Sequence, residues 1–161
     1  MKNQFFAKND SEIVQPNIAL SFSGIDFMTK IYNGELPLAN IAKILNFRLS
    51  KVEKGSISFE GSPTKEHFNI SGSIHGSWYG ALLDSAMACS ILTTLAKGLT
   101  TTTLEYKINI IRPLKLGTAI RATGLVKHSG KSTGVATGSI IGKDDRILYA
   151  TGSTTCLVLE L

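Results

Sequence analysis

Apolar residues along the chain follow two spacings, and the points where one gives way to the other mark its elements. The stretch SGIDFMTKIYNGE spaces its apolar residues by three and four. It opens on Ser23, a good helix cap, and has Gly34 near its end, which predicts one short helix. Residues 41–63, IAKILNFRLSKVEKGSISFEGSP, turn to period two. Phe47, Leu49 and Val52 precede Gly55, and Ile57 and Phe59 follow it, the pattern of a β-hairpin. A loop with Pro63 and HFNISGS leads into a long apolar run that predicts a helix over residues 75–97. Gly80, Ala81, Ser85, Ala86, Ala88 and Cys89 keep its surface small, so that a sheet can lie close against it. Beyond Gly98 period two returns in four segments. TTTLEYKINIIRP alternates Leu104, Tyr106, Ile108 and Ile110 and stops at Pro113. TAIRATGLVKHSG, STGVATGSIIGKD and RILYATGSTTCLVLEL follow, parted by the turn-forming SGKS and GKDDR. Long strands with short connections predict an antiparallel meander. The whole reads as one α+β domain over residues 1–161, an antiparallel sheet wrapped around a single long helix. Residues 1–20 are expected to be a loose arm.

A chain of 161 residues with 43% apolar and 18% charged side chains is large enough for a core and too apolar for disorder. One residue breaks that picture. Asp84 lies in the most apolar segment and is the only acidic residue between Glu66 and Glu105. A buried carboxylate is costly unless partnered. It is either a structural group bonded to hydroxyls such as Ser85 or those of the threonine run, or a group kept for chemistry. The net charge of +5 is uneven: residues 1–100 carry 9 basic and 8 acidic side chains, residues 101–161 carry 8 and 4. The second half therefore suits an anionic ligand, or is simply a basic surface. Most aromatic residues sit in apolar runs without basic interleaving, so no nucleic acid is expected. Cys89 and Cys156 make no disulfide framework, and Cys89 reads as a small buried hydrophobe. Histidines and cysteines lack ligand spacing, so no metal is expected. The start has no long apolar h-region, and the apolar helix carries a charge, so no membrane span and a cytoplasmic location are expected.

FNISGSIHGSWYGALLDSAMAC and the following TTLEYKINIIRPLKLG resemble the PaaI-like acyl-CoA thioesterases of the hotdog superfamily. The shared positions are Asn69, Gly72, His75–Gly76, Asp84 nine residues after that histidine, Thr103, Pro113 and Gly117. Ser77 stands where the family usually has a second glycine, and Ile70 where it often has proline. The likeness runs over roughly residues 20–158 and implies the hotdog fold. It implies hydrolysis of an acyl- or aryl-acyl-CoA thioester to free acid and CoA, with no cofactor beyond that substrate. Asn69 would hold the attacking water and the Thr103 hydroxyl would orient the carboxylate or the water. Arg112 and the turn of Gly130, Lys131 and Ser132 resemble positions that contact CoA, and backbone donors at a glycine turn beside a lysine suit a phosphate.

The chemistry also follows from the residues alone. Thioester hydrolysis needs a donor for the developing oxyanion and a group that activates water or attacks directly. Gly76 opens the predicted helix, where unpaired N–H groups and the positive dipole end favour an anion. Asp84 is the base or nucleophile, its pKa raised by partial burial. His75 is expected to fix the loop, and Asn69 and Thr103 also suit an ordinary turn and strand. Gly76 and Asp84 are eight residues apart, about 12 Å along a helix. One helix hardly brings both to one carbonyl with water between, whereas two antiparallel copies could pair Gly76 of one with Asp84 of the other. The resemblance implies the same, a homodimer or dimer of dimers with sites at the interface. The alternative is a non-catalytic acyl-CoA-binding module, against which the presence of Asp84 argues.

Overall fold

The computed structural model describes residues 3–160. A short helix α1 (Pro16–Ala19) precedes α2 (Gly24–Asn33), which starts and stops as its sequence predicts. The Ser23 side chain accepts from the Asp26 N–H, and Gly34 closes the helix at φ +77°. That left-handed conformation suits glycine. Next come α3 (Asn40–Ile44), β1 (Phe47–Glu53) and β2 (Ser56–Gly61). The hairpin thus begins at Phe47 and not at Ile41. Ahead of it α3 buries Ala42 and leaves Ile41 and Ile44 exposed, so residues 41–44 had no sheet face to fill. A bulge between Leu49 and Lys51 explains why Phe47, Leu49 and Val52 are apolar despite their odd and even numbers. The extra residue, Ser50, flips the parity and keeps all three toward the core.

The long helix α4 (Gly76–Leu92) ends five residues before the expected limit. Thr93 and Thr94 cap it by donating their hydroxyls to the Ser90 and Ile91 carbonyls, each at 2.6 Å. Thr93 Oγ1 also accepts from the Gly55 N–H at 2.7 Å, which fastens the β1–β2 turn to the helix end. The strands β3 (Leu99–Ile110), β4 (Ile120–Ser129), β5 (Thr133–Gly142) and β6 (Leu148–Glu160) complete a six-stranded antiparallel sheet of order β1-β2-β4-β5-β6-β3. This corrects the expected meander, because β3 pairs with β6 and not with β4. The helix α4 passes under the sheet and delivers β3 to the far edge. The β4-β5-β6 hairpins then fill the slot beside β2.

The sheet curls over α4, which buries Trp78, Leu82, Leu83, Met87 and Ile91 almost completely. The close approach comes mainly from the sheet's glycines. A Cβ at Gly124 would overlap the Ala86 carbonyl, and one at Gly134 would overlap the Ile91 side chain. Ala81, Ser85, Ala88 and Cys89 instead share with Asp84 a half-buried face of the helix. The stretch expected as a loose arm is tied down at several points. Gln4 Nε2 donates to the Leu49 carbonyl at 2.7 Å, Phe6 bridges to Leu38, and Arg48 stacks over the Phe6 ring.

Candidate active site

Asp84 projects from the half-buried face of α4 toward β3. Thr103 Oγ1 donates to its Oδ1 at 2.9 Å. Ser85, the other expected partner, donates to the Ala81 carbonyl instead. A bulge in β3 makes the Thr103 contact possible. Thr103 pairs with Cys156 and Glu105 with Thr155, leaving Leu104 as the extra residue. Thr103 and Tyr106 therefore share the helix face, Tyr106 lying against Gly80, while Leu104 is 58% exposed. Strict alternation would have set Thr103 and Tyr106 on opposite faces. Burial pushes the Asp84 carboxyl above the usual carboxylate range, and the Thr103 hydrogen bond pulls it part of the way back. The result is a carboxylate of raised basicity, held by one hydroxyl and open on one side. Burial, the Asp84 charge and Cys156 push the Cys89 thiol up to about 12, so it stays protonated at neutral pH and inert.

Two helical turns toward the N-terminus, His75 caps α4. Its Nδ1 accepts from the Ser77 N–H at 3.0 Å and lies 2.8 Å from the Ser77 hydroxyl. Its carbonyl accepts from the Trp78 N–H at 3.0 Å, and its own N–H donates to the His67 carbonyl at 2.8 Å. His75 thus fixes the loop, and Ser77 supports the cap. Those bonds use two of the first-turn donors. The Gly76 N–H has no partner among the described residues, so it is the donor left for an incoming oxygen. Asn69 is engaged in the turn that precedes the helix. Its Oδ1 accepts from the N–H groups of Ser71 and Ser73, and its Nδ2 donates to the Ser73 hydroxyl at 2.9 Å. Gly72 in that turn has φ +73°, a conformation that glycine adopts without strain.

The residues expected to bind CoA do not meet within one chain. Arg112, just beyond β3, donates to the Leu148 carbonyl at 2.9 Å. Gly130, Lys131 and Ser132 form the β4–β5 turn, where the Gly130 N–H donates to the Thr133 carbonyl and the Ser132 carbonyl accepts from the Val158 N–H. Leu148 and Val158 mark opposite ends of β6, roughly 30 Å apart at about 3.3 Å per residue. Arg112 and Lys131 are therefore at opposite ends of the sheet.

Two buried anchors had no counterpart in the sequence reading. His67, only 6% exposed, accepts the Thr64 N–H at Nδ1 and contacts the Ile44 carbonyl through Nε2 at 2.9 Å. It joins α3 to the loop that carries Asn69 and His75. Its signal was the spacing from Thr64, that of a capping box closed by histidine. Tyr79 accepts the Leu114 N–H at 2.7 Å and so pins the segment after β3 to the helix. An isolated tyrosine in an apolar run gives no sign of this.

A sequence model of the thioesterase superfamily matches residues 71–149, the stretch that carries the Asn-turn end, the capped helix, Asp84 and Thr103. That stretch is just under half of this chain, and over it the chain resembles the superfamily. The chain is 28% identical to human acyl-coenzyme A thioesterase 13 over 131 residues, 81% of this chain and 89% of the human one. It shares its fold with the E. coli PaaI protein of the phenylacetic acid degradation operon. That match has a TM-score of 0.72 and 24% identity, covering 87% of this chain and 96% of the other. A Streptococcus mutans protein solved with acetyl CoA bound has the same fold, at a TM-score of 0.66 and 24% identity over 71% and 90% of the two chains. The expected hotdog fold, an antiparallel sheet wrapped around one long helix, is thus the one this chain adopts. No helix among the described residues of this thioesterase is long and apolar enough to cross a membrane.

Proposed function

We propose that this thioester hydrolase cleaves acyl-CoA to free acid and CoA at sites shared between two copies of the chain. The contact between Thr103 and Asp84 carries the reading. It joins two separated parts of the sequence into a half-buried carboxylate of raised basicity, eight residues along α4 from an unpartnered N–H. Asp84 is the general base and takes a proton from water as the water attacks the thioester carbonyl. The C–S bond then breaks, and Asp84 returns the proton to the sulfur so that CoA leaves as the thiol. Thr103 orients the carboxylate, and Asn69, with its turn, supports the water's position. The Gly76 N–H of the other protomer stabilises the developing oxyanion, with His75 shaping the helix end that presents it. Human acyl-coenzyme A thioesterase 13 and the acetyl CoA bound to the S. mutans protein support CoA thioesters as the substrate class.

The edge strand β3 supports the two-copy site. It presents twelve residues of unpaired backbone edge together with exposed Leu104, Tyr106 and Ile110, an arrangement that invites pairing with another chain. Antiparallel pairing of two β3 edges brings Gly76, beside Ile110, toward the partner's Asp84, beside its Thr103. It also brings Arg112 to the same end as the partner's Lys131 turn, which resolves their separation within one chain.

Thiol release from a panel of acyl-CoAs, compared between the wild type and Asp84→Asn, tests the reading. The variant keeps shape and much of the hydrogen bonding, and kcat is expected to fall about 10²–10⁴-fold in a protein that remains folded and associated. A folded Asp84→Asn within threefold of wild type would refute the mechanism and leave a binding module in its place.

A further inference from the structure

We propose that the chain ahead of residue 71 builds an acyl-tail pocket that selects straight aliphatic acyl groups of medium length. The inference rests on the thioesterase reading above and extends it to the substrate's tail. A cavity of about 420 Å³ lies over the half-buried face of α4, between α2, α3 and the β1–β2 hairpin, which contributes Phe47 and Phe59. Its walls include Val14 from the N-terminal stretch, Met28 and Ile31 from α2 and Leu38 before α3, and its floor is Ser85 and Cys89 on α4. That floor begins one residue from Asp84, close enough for the Asp84 charge to act on the Cys89 thiol. A thioester whose carbonyl reaches Asp84 therefore has its acyl tail directed along the half-buried face of α4 into this cavity.

The lining defines the tail. No lysine, arginine, aspartate or glutamate lines the cavity, and the Ser85 hydroxyl is already spent on the Ala81 carbonyl. The one remaining amide in the lining is Asn40, at the exposed start of α3, so a polar tail is desolvated along most of the cavity and disfavoured. The volume falls in the range of ligand pockets. A methylene needs nearly the space of a water, about 30 Å³, so the cavity takes a chain on the order of ten carbons. A phenyl group fills only a fraction of it and gains less burial.

The test is a series from butyryl- to hexadecanoyl-CoA, with phenylacetyl-CoA beside it, on wild type, Ala39→Trp and Ala7→Phe. Ala39 and Ala7 line the cavity from the segments that cover it and are not fully buried, so a larger side chain fits without breaking the core. Wild-type kcat/KM is expected to climb about two- to fourfold per methylene and level off near ten carbons. The decanoyl-to-butyryl ratio should fall at least tenfold in both variants. A ratio unchanged in both, or phenylacetyl-CoA preferred to decanoyl-CoA, would overturn the pocket. Calorimetry with free decanoate separates the two readings. Were no thioester of any length cleaved, the hydrolase reading would fall, yet decanoate binding lost in Ala39→Trp would still carry the pocket. Absence of decanoate binding to the wild type would sink it.

Discussion

At the scale of single residues, the central question is why one carboxylate stays in the most apolar helix. Thr103 partly satisfies it, but burial still holds its pKa above the ordinary 3.8. The folded protein therefore keeps this proton to higher pH than the unfolded chain does. Below 3.8 both states are protonated and the difference vanishes. As pH rises through the raised value, ionisation costs stability. Asp84→Asn should thus gain stability relative to wild type on going from acid to neutral pH, which urea unfolding at the two pH values measures. Activity has the opposite sign, since the base works as the anion. Thr103→Val removes the bond that favours the anion, so the acid limb of kcat/KM should move to higher pH, and Thr103→Ser should bring it back. An acid limb unmoved in Thr103→Val would show that Asp84 is not the titrating base.

At the scale of elements, the site depends on how near the sheet comes to α4. Gly124→Ala puts a methyl into the Ala86 carbonyl, which is backbone and cannot swing aside. We expect a loss of roughly 1–3 kcal/mol in urea denaturation, and a full loss of soluble protein would agree in direction. Stability equal to wild type would mean that the helix can back away from β4. The two bulges show where periodicity was legible and where it was not. In β1 the apolar set Phe47, Leu49 and Val52 already contains the parity change at Ser50. In β3 the even-numbered set Leu104, Tyr106, Ile108 and Ile110 alternates without a break, and nothing in it reveals that Leu104 is the bulged residue. The reason is that an exposed edge strand has apolar residues on more than the core face.

At the scale of the whole molecule, Arg112 and Lys131 lie too far apart to bind one CoA unless two chains contribute. Each change to glutamine should raise KM several-fold and leave kcat nearly constant, because phosphate binding is mostly uniform along the reaction. The decisive version uses charge reversal. Dimers of Arg112→Glu mixed and exchanged with dimers of Lys131→Glu should regain activity above either parent, since each mixed dimer carries one site with both native residues. No gain on mixing, with exchange confirmed by mass, would rule out the shared site.

Much of this protein was determined by the sequence itself. Its helix caps at Ser23 and Gly34, the turn at Gly55, the α4 start at His75–Gly76 and the spacing from His75 to Asp84 to Thr103 all depend on local chemistry. Local hydrogen bonds and φ preferences act over a few residues, so they are legible there. Tertiary structure decided the rest. The partner of β3 is β6 because α4 carries the chain under the sheet, and period two is the same whichever strand lies alongside. The start of the chain folds into the wall of a cavity because Val14, Met28, Ile31 and Leu38 converge from segments whose own patterns are short. The unpaired edge of β3, on which the proposed pairing with a second chain rests, follows from the order of strands across the sheet. Pairing over long range is set by how all the apolar faces close together, and no single stretch contains that information.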